Sequence, residues 1–214
     1  MDSVKQLKNL YRLKRGEIKL RLGDFRKLWS QGGEEEIFTE LIFCILTPQA
    51  KAKFCWDSVT KLGKKNLLLK GSAGQIRECL TNVRFRNKKS AYITEARRLF
   101  INNGRISIKP LLSKFNNVQE CREWLVRNIK GLGYKEASHF LRNIGLGEKI
   151  AILDRHIVRN LKKLGIIDEI PKSLGRRKYR QIEEDMKEFA DEIDIPLSHL
   201  DLLLWYKETG EIFK

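Results

Sequence analysis

The stretch Ile129-Lys130-Gly131-Leu132-Gly133-Tyr134-Lys135 decides the fold, because it forms a glycine-flanked turn between two amphipathic segments. Apolar residues recur at helical spacing on both sides of it: Val118, Cys121, Leu125 and Ile129 before, and Ala137, Phe140, Leu141 and Ile144 after. Two glycines around one apolar residue let the chain turn sharply and bury Leu132 between the helices. The pattern predicts a helical hairpin over residues 118–144.

Such a hairpin has two interpretations. One is an ordinary pair of antiparallel helices joined by a glycine turn. In the other, the backbone N–H groups of Gly131 and Gly133 face outward at the N-terminus of the second helix, where they bind a phosphate of DNA. Contacts of this kind position nucleic acid without reading its sequence.

Two ionisable residues beyond the turn favour chemistry over simple binding. Lys135 lies in the first turn of the second helix, where the positive end of the helix dipole disfavours its ammonium form. It is therefore either a surface lysine with no catalytic role or a nucleophile. Asp154 follows the apolar run Ile150-Ala151-Ile152-Leu153 and precedes another amphipathic helix. It is predicted to cap that helix, and a cap at the edge of a cleft can also face substrate.

The rest of the chain predicts an all-α protein. Only four prolines occur in 214 residues, and apolar residues recur at intervals of three and four almost everywhere. Breaks at glycine, asparagine and proline divide this pattern into about ten short helices. A chain of this length forms one large domain or two small packed lobes, and it buries enough surface to need neither a disulfide nor a metal.

Positive charge points to a polyanionic partner. The 43 Lys and Arg residues outnumber the 27 Asp and Glu residues, which gives a formal charge of +16 and a pI near 9.8. Binding of such a basic surface to phosphates releases counterions, which favours association. The alternative is the charge-rich surface of a thermophilic protein, but that surface is usually closer to charge balance.

Several classes of protein are disfavoured. No run of about 18 apolar residues is present to span a membrane, and the start Met1-Asp2-Ser3-Val4-Lys5 lacks a signal peptide's apolar stretch. We therefore expect a cytoplasmic protein. The four cysteines, Cys44, Cys55, Cys79 and Cys121, lack the spacing of a zinc or iron–sulfur site. We expect them to be reduced and buried, with no metal or cofactor.

These motifs resemble a known superfamily. Residues 129–137, followed by Ala151-Ile152-Leu153-Asp154-Arg155-His156, resemble the helix-hairpin-helix, Gly/Pro-rich loop and aspartate signature (HhH-GPD) of base-excision DNA glycosylases. Residues 135–143, 168–172 and 201–210 further resemble the archaeal-type 8-oxoguanine DNA glycosylase/lyases, the short second type of that activity. The resemblance runs from about Phe43 to Lys214.

The resemblance implies a two-lobed, all-α HhH-GPD glycosylase fold. Residues 34–144 would form a helical barrel lobe that ends in the hairpin, and residues 1–33 with 145–214 would form the second lobe. The cleft between them would hold Lys135 and Asp154. The implied partner is double-stranded DNA containing 8-oxoguanine or abasic sites, bound by a monomer, and DNA binding would associate the protein with the nucleoid.

The resemblance also assigns the chemistry. The lysine matching Lys135 attacks C1′ of the damaged nucleotide, forms a Schiff base and supports β-elimination of the 3′ phosphate. The aspartate matching Asp154 stabilises the developing oxocarbenium charge and positions or deprotonates the lysine. The physical chemistry agrees, because a fixed carboxylate stabilises positive charge on the sugar most strongly in the transition state.

Other matches concern base flipping, which the buried target requires. Gln49 would fill the vacated space in the duplex, although a simple turn after Pro48 is the alternative. Phe85 would stack near the damaged base, unless it is a core residue. Trp205 would stack on the flipped purine, and Lys214 would enter the base pocket, where its terminal carboxylate could accept hydrogen bonds from the base; a frayed tail is the usual alternative.

Exposed cations and backbone amides would contact DNA phosphates and set the salt dependence of binding. These are the amides of Gly131 and Gly133 and the side chains Arg84, Arg86, Lys88, Lys89, Arg155, His156 and Arg159.

Two alternative functions remain open at this point. One is an oxidised-pyrimidine glycosylase of the endonuclease III type, which the missing C-terminal cysteine cluster disfavours. The other is a non-catalytic hairpin module that binds DNA, which would need neither Lys135 nor Asp154. Discrimination of 8-oxoguanine from guanine requires a buried acceptor for the N7–H that only the lesion carries, and the sequence assigns no residue to it.

Overall fold

The computed structural model describes residues 2–214, which form twelve helices and one short hairpin of strands. The first helices are α1 (Asp2–Gln31), α2 (Glu34–Leu46), α3 (Ala52–Lys64), α4 (Leu67–Lys70), α5 (Ala73–Cys79) and α6 (Arg86–Phe100). Strands β1 (Ile101–Asn102) and β2 (Arg105–Ile106) follow and pair antiparallel. The remaining helices are α7 (Lys109–Leu112), α8 (Val118–Asn128), α9 (Tyr134–Asn143), α10 (Arg155–Lys163), α11 (Arg176–Glu192) and α12 (Leu197–Thr209).

The predicted all-α class is confirmed, with two differences in detail. Helix α1 is one continuous helix of 30 residues, where the sequence predicted only short ones. The strand pair was not predicted, because each strand has two residues and shows no alternation. It forms around Asn103 and Gly104, which both adopt positive φ and so reverse the chain tightly. Among residues 2–214, no helix has the length and apolar character needed to cross a bilayer.

Helix α2 is the centre of the first hydrophobic core. Every residue from Ile37 to Leu46 except Thr39 is buried, because α3, α6 and α9 surround it. The core takes its buried apolar residues from positions 37–150. All four cysteines are buried and unpaired, and all four lie in this core.

The second core joins the two ends of the chain. One apolar stripe of α1, including Ile18, Leu22 and Phe25, packs with residues of α10, α11 and α12. Buried residues of this core lie at positions 7–25 and 151–204. The division of the chain into one lobe of residues 34–144 and a second of residues 1–33 with 145–214 stays a prediction. The two groups of buried residues have similar boundaries.

The two glycines of the hairpin between α8 and α9 have different structural roles. Gly131 has φ +85° and its missing Cβ would lie 2.7 Å from the ring of Tyr92, so both the conformation and the space demand glycine. Leu132 is buried as predicted. Gly133 has an ordinary negative φ and donates its N–H to Glu136 Oε2 at 3.2 Å, which is the glutamate half of a capping box.

Two buried ion pairs join the hairpin helices to the second core. Arg122 of α8 donates to both carboxylate oxygens of Glu183 on α11, at 2.6 and 2.7 Å. Arg142 of α9 donates to Asp201 of α12 at 2.8 Å. The two carboxylates also accept backbone N–H groups of the segment before α10, from Ala151 and Ile152 respectively. The ion pairs therefore orient the segment that leads to Asp154.

Candidate active site

A cleft of about 1270 Å³ contains residues of both the hairpin and the second core. Eight residues that the sequence singled out line it: Gln49, Arg84, Lys135, Asp154, Arg155, His156, Trp205 and Lys214. The others do not line the cleft: Lys89 is buried, and the exposed ones are Phe85, Arg86, Lys88, Gly131, Gly133 and Arg159. Residues separated by more than a hundred positions thus meet at one site.

Lys135 is the second residue of α9, directly after the hairpin. Its side chain is 25% exposed, and Nζ lies 3.6 Å from Glu136 Oε1. The amine is therefore half-enclosed at the cleft wall while it stays accessible to a substrate. The carboxylate of Glu136 serves two groups, since its other oxygen accepts the Gly133 N–H.

Asp154 caps α10 as predicted. Its Oδ1 accepts the N–H groups of His156 and Ile157, both at 2.8 Å. The Leu153 N–H donates to the buried hydroxyl of Tyr179, which itself donates to the Ala151 carbonyl. The helix cap uses Oδ1, and the hydroxyl of Tyr179 bonds the backbone of the preceding segment at both Leu153 and Ala151. The Asp154 carboxylate is therefore held in a fixed orientation.

Of the two aromatic residues predicted to stack on the base, Trp205 lines the cleft and Phe85 lies on the exposed surface outside it. Trp205 packs edge-to-face against His156, with ring centroids 5.6 Å apart, and His156 Nδ1 is 3.6 Å from Glu208 Oε2. Phe85 is 50% exposed, so it is not a core residue. It adopts φ +59° and its ring lies 5.3 Å from the guanidinium carbon of Arg84.

The C-terminal residue is docked, which excludes the frayed tail. Phe213 packs on the first core, and Ile212 packs on the second. The Lys214 ammonium pairs with the buried Glu40 and lies 3.4 Å from the ring centroid of Trp56. Burial lowers the pKa of Lys214, whereas the Glu40 carboxylate raises it. Glu40 was missed by the sequence reasoning, although one carboxylate inside the apolar run of α2 was a usable signal.

The predicted phosphate contact of Lys89 is wrong. This lysine is only 4% exposed, and its Nζ donates to the carbonyls of Leu46 and Pro48 at 2.8 and 2.7 Å. It therefore holds the loop that carries Gln49, whose φ is +54°. Its neighbour Lys88 is exposed as expected.

The two hairpin glycines also differ in how far their N–H groups are available to a phosphate. Gly131 and Gly133 are both exposed, but the N–H of Gly133 already has a partner in Glu136. A phosphate at this turn would have to displace that carboxylate or use neighbouring amides.

His139 is a further cleft residue that the sequence reasoning missed. Burial lowers its pKa well below the usual 6.5, and the nearby cations Arg142, Lys135 and Lys214 lower it further. The imidazole is consequently neutral at physiological pH. Its position one helical turn after Lys135 was the signal available in the sequence.

Comparison with known proteins gives concordant matches. A family model described as 8-oxoguanine DNA glycosylase matches residues 18–195. A Fusobacterium nucleatum protein named 8-oxoguanine DNA glycosylase/AP lyase is 48% identical over 98% of this chain and 96% of its own. A Methanocaldococcus jannaschii protein of the same name is 44% identical over 97% of this chain and 99% of its own.

Solved structures agree with the sequence matches. The M. jannaschii 8-oxoguanine glycosylase/lyase in complex with a 15mer DNA containing 8-oxoguanine superposes with a TM-score of 0.90, at 40% identity and full coverage of both chains. The Thermotoga maritima 8-oxoguanine DNA glycosylase superposes with a TM-score of 0.84 at 35% identity, over 100% of this chain and 99% of its own. A Helicobacter pylori 3-methyladenine DNA glycosylase, at 16% identity and a TM-score of 0.63, shares the fold.

Proposed function

This chain belongs to the family of 8-oxoguanine DNA glycosylases, and from that premise we propose that Lys135 and Asp154 remove the lesion and cleave the strand in the cleft described above. It is an 8-oxoguanine DNA glycosylase/AP lyase that acts on duplex DNA. The observation that carries the assignment of roles is that a lysine in the first turn of α9 and the N-cap aspartate of α10 line one cleft.

Base removal begins with the amine. Lys135 Nζ attacks C1′ of the flipped nucleotide, the bond from C1′ to the base breaks, and its electron pair leaves with the base. Positive charge builds on the sugar as that bond lengthens, and the fixed Asp154 carboxylate stabilises it. Because only Oδ1 takes part in the helix cap, the second oxygen is available to this charge or to a proton from the amine.

Strand cleavage uses the same lysine. Loss of a proton from the attached nitrogen and opening of the sugar give a Schiff base between Nζ and C1′. Removal of a proton from C2′ then expels the 3′ phosphate. The lysine must be unprotonated to attack.

The other sequence-predicted residues surround this centre. Trp205 and Lys214 contact the flipped base inside the cleft, and Phe85 closes on it from the exposed rim when DNA binds. Gln49 fills the gap in the duplex. Phosphates contact the hairpin at Gly131 and Gly133 and the cations Arg84, Arg86, Lys88, Arg155 and His156. Two lobes divided at residues 34 and 144 bind DNA as a monomer, because one chain supplies the whole cleft, and the enzyme works on chromosomal DNA in the cytoplasm.

Borohydride trapping tests the assignment of Lys135. We expect covalent complexes with 8-oxoguanine duplex, lost by more than a hundredfold in Lys135→Gln while duplex binding is retained. Lys187→Gln is the matched control, because Lys187 lies exposed on α11, outside the cleft, and pairs with Glu184 on the same helix. If Lys135→Gln still traps and nicks DNA, Lys135 is not the nucleophile.

A further inference from the structure

Asp201 is a buried carboxylate at the active-site cleft that the proposed chemistry does not use. It lies on α12, is 3% exposed and lines the cleft together with Lys135 and Asp154. A buried charge requires a partner, and the guanidinium of Arg142 on α9 donates to Asp201 Oδ2 at 2.8 Å. Such a pair contributes little to stability compared with apolar residues of similar volume. Its place in the cleft therefore points to a role in the reaction.

Arg142 is firmly held on the helix that carries Lys135. The two residues are seven positions apart on α9, close to two full turns, so their side chains leave the same face of the helix. The Arg142 guanidinium also donates to Asn143 Oδ1 at 3.3 and 3.2 Å and lies 5.5 Å from the ring centroid of Phe25. Asp201 is thereby fixed in relation to α9 and to the lysine at its start.

A continuous path of hydrogen bonds leads from Asp201 to Asp154. Asp201 Oδ1 accepts the Ile152 N–H at 3.2 Å, and the Ile152 carbonyl accepts the Asp154 N–H at 2.8 Å. A shift of the Asp201 side chain would therefore move the backbone that carries the Asp154 carboxylate. Since Asp201 is itself fixed to α9 by Arg142, the path sets where the Asp154 carboxylate lies in relation to Lys135.

The charges of Arg142, Asp154 and Asp201 also balance one another. Burial raises the pKa of Asp201 to about 6, the Arg142 guanidinium lowers it, and the Asp154 carboxylate raises it. Burial lowers the pKa of Arg142, whereas Asp201 and Asp154 both raise it. Two carboxylates in one cleft oppose each other's ionisation. Because Arg142 attracts both of them, it offsets this repulsion.

We propose that Asp201 is a positioning residue for base excision, which holds the Asp154 carboxylate in place relative to Lys135 through the backbone of Ile152, and that Arg142 fixes Asp201 in turn. The inference rests on the proposed function, because it takes Lys135 and Asp154 as the reacting groups. Asp201 acts without touching the substrate. A displaced Asp154 carboxylate stabilises the charge on the sugar less well, since electrostatic catalysis depends on groups that are positioned in advance.

The test compares two double variants that both remove the buried pair. Arg142→Met/Asp201→Asn keeps an amide oxygen that accepts the Ile152 N–H, whereas Arg142→Met/Asp201→Leu keeps no acceptor. Each removes one cation and one anion, so the net charge beside Asp154 is unchanged, and apolar replacement of a buried pair is often tolerated. In single-turnover excision of 8-oxoguanine, we expect Arg142→Met/Asp201→Leu to be roughly 100-fold slower than wild type. Arg142→Met/Asp201→Asn should recover most of that loss.

Two further measurements separate positioning from a general loss of structure. The dissociation constant for the lesion duplex should stay unchanged, because the buried pair acts through the Ile152 backbone. Cleavage of a preformed abasic site should slow much less than excision, since that substrate has already lost its base. Arg26→Met/Glu148→Leu is the matched control, because it removes an exposed pair outside the cleft and should leave all three quantities unchanged.

Equal excision rates in the two double variants would overturn the inference, as would equal losses on the lesion and abasic duplexes. A folded Arg142→Met/Asp201→Asn variant that is as slow as expected for Arg142→Met/Asp201→Leu would also overturn it, even if the latter fails to fold. Borohydride trapping by the wild-type enzyme distinguishes this inference from the proposed function. Absence of trapping contradicts the proposed function, whereas trapping together with equal rates in the two variants contradicts the Asp201 role alone.

Discussion

Glu40 and Lys214 form a contact that places the end of the chain at the cleft. Glu40 lies in the apolar helix α2, where its second carboxylate oxygen accepts the Asn143 amide at 3.1 Å. The Lys214 ammonium meets the first oxygen and the face of Trp56, and a desolvated cation over an indole ring is well stabilised. The side chain of Lys214 thus acts as an anchor, which would leave its terminal carboxylate free for the role that we propose in the base pocket.

The anchor predicts a specific kinetic signature. Lys214→Met keeps the terminal carboxylate but loses the ammonium, and Glu40→Gln loses the partner charge. We expect each to lower 8-oxoguanine excision about 10-fold, because a hydrogen bond to a charged group contributes roughly 1.5–3 kcal/mol, and to change cleavage of a preformed abasic site far less. Deleting Lys214 should have the larger effect of the same kind. The measurement is single-turnover rates on both duplexes.

A double-mutant cycle provides the control. If Glu40 acts through the Lys214 ammonium, the double variant is no slower than either single variant. Glu35→Gln, an exposed glutamate on the same helix, should have no effect. Additive losses, or equal losses on both substrates, would show that the two residues do not act together on the base.

At the scale of elements, the loop between α2 and α3 depends on one buried lysine. Lys89 of α6 reaches across to the carbonyls of Leu46 and Pro48, and burial lowers its pKa. Gln49 next to this anchor adopts a left-handed conformation that costs about 1 kcal/mol in most residues. The surrounding bonds hold the loop in that conformation before DNA arrives.

We expect Lys89→Met to free this loop and to slow 8-oxoguanine excision from duplex about 10-fold, since the inserted side chain is no longer pre-positioned. Excision from a single-stranded oligonucleotide should change much less, because no vacated duplex space must be filled. The ratio of the two rates is the measurement. Lys61→Met, at an exposed site on α3, serves as the control. A uniform loss on both substrates would assign Lys89 a general structural role instead.

At the scale of the whole molecule, two buried ion pairs join the helices of the hairpin to the second core. The Arg122–Glu183 pair is almost fully buried and also binds the Ala151 N–H, so it links the hairpin to the segment before Asp154. Removing one partner of such a pair leaves an unpaired buried charge.

Glu183→Gln should therefore lower the free energy of unfolding by about 3–5 kcal/mol, which corresponds to a Tm decrease of roughly 6–20 °C in a protein of this size. The matched control is Glu148→Gln. Glu148 pairs with Arg26 on the surface, where the two side chains are 55% and 54% exposed, so we expect the free energy of unfolding to fall by at most about 1 kcal/mol. Thermal unfolding followed by circular dichroism measures both. Similar shifts for the two variants would contradict the special role of the buried pair.

Local patterns in the sequence were sufficient to predict the class of fold and to single out the two residues that we propose to react. Helical periodicity, the glycine-flanked turn and the residue before α10 are all properties of neighbours along the chain. Lys135 and Asp154 each lie at a helix N-terminus, so their positions followed from the same local rules. The hairpin of strands was missed because two-residue strands leave no periodic signal.

The amino-acid sequence by itself thus determined the all-α class, the helical hairpin and the family to which the chain belongs. Only the tertiary structure decided which cations are exposed to solvent and which are buried. Lys88 and Lys89 are chemically identical neighbours, yet one is exposed and the other is buried against carbonyls from a segment about forty positions earlier. Glu40, His139 and Lys214 come together only through the packing of α2, α9 and the C-terminal tail, because burial and long-range pairing depend on all the surrounding helices at once.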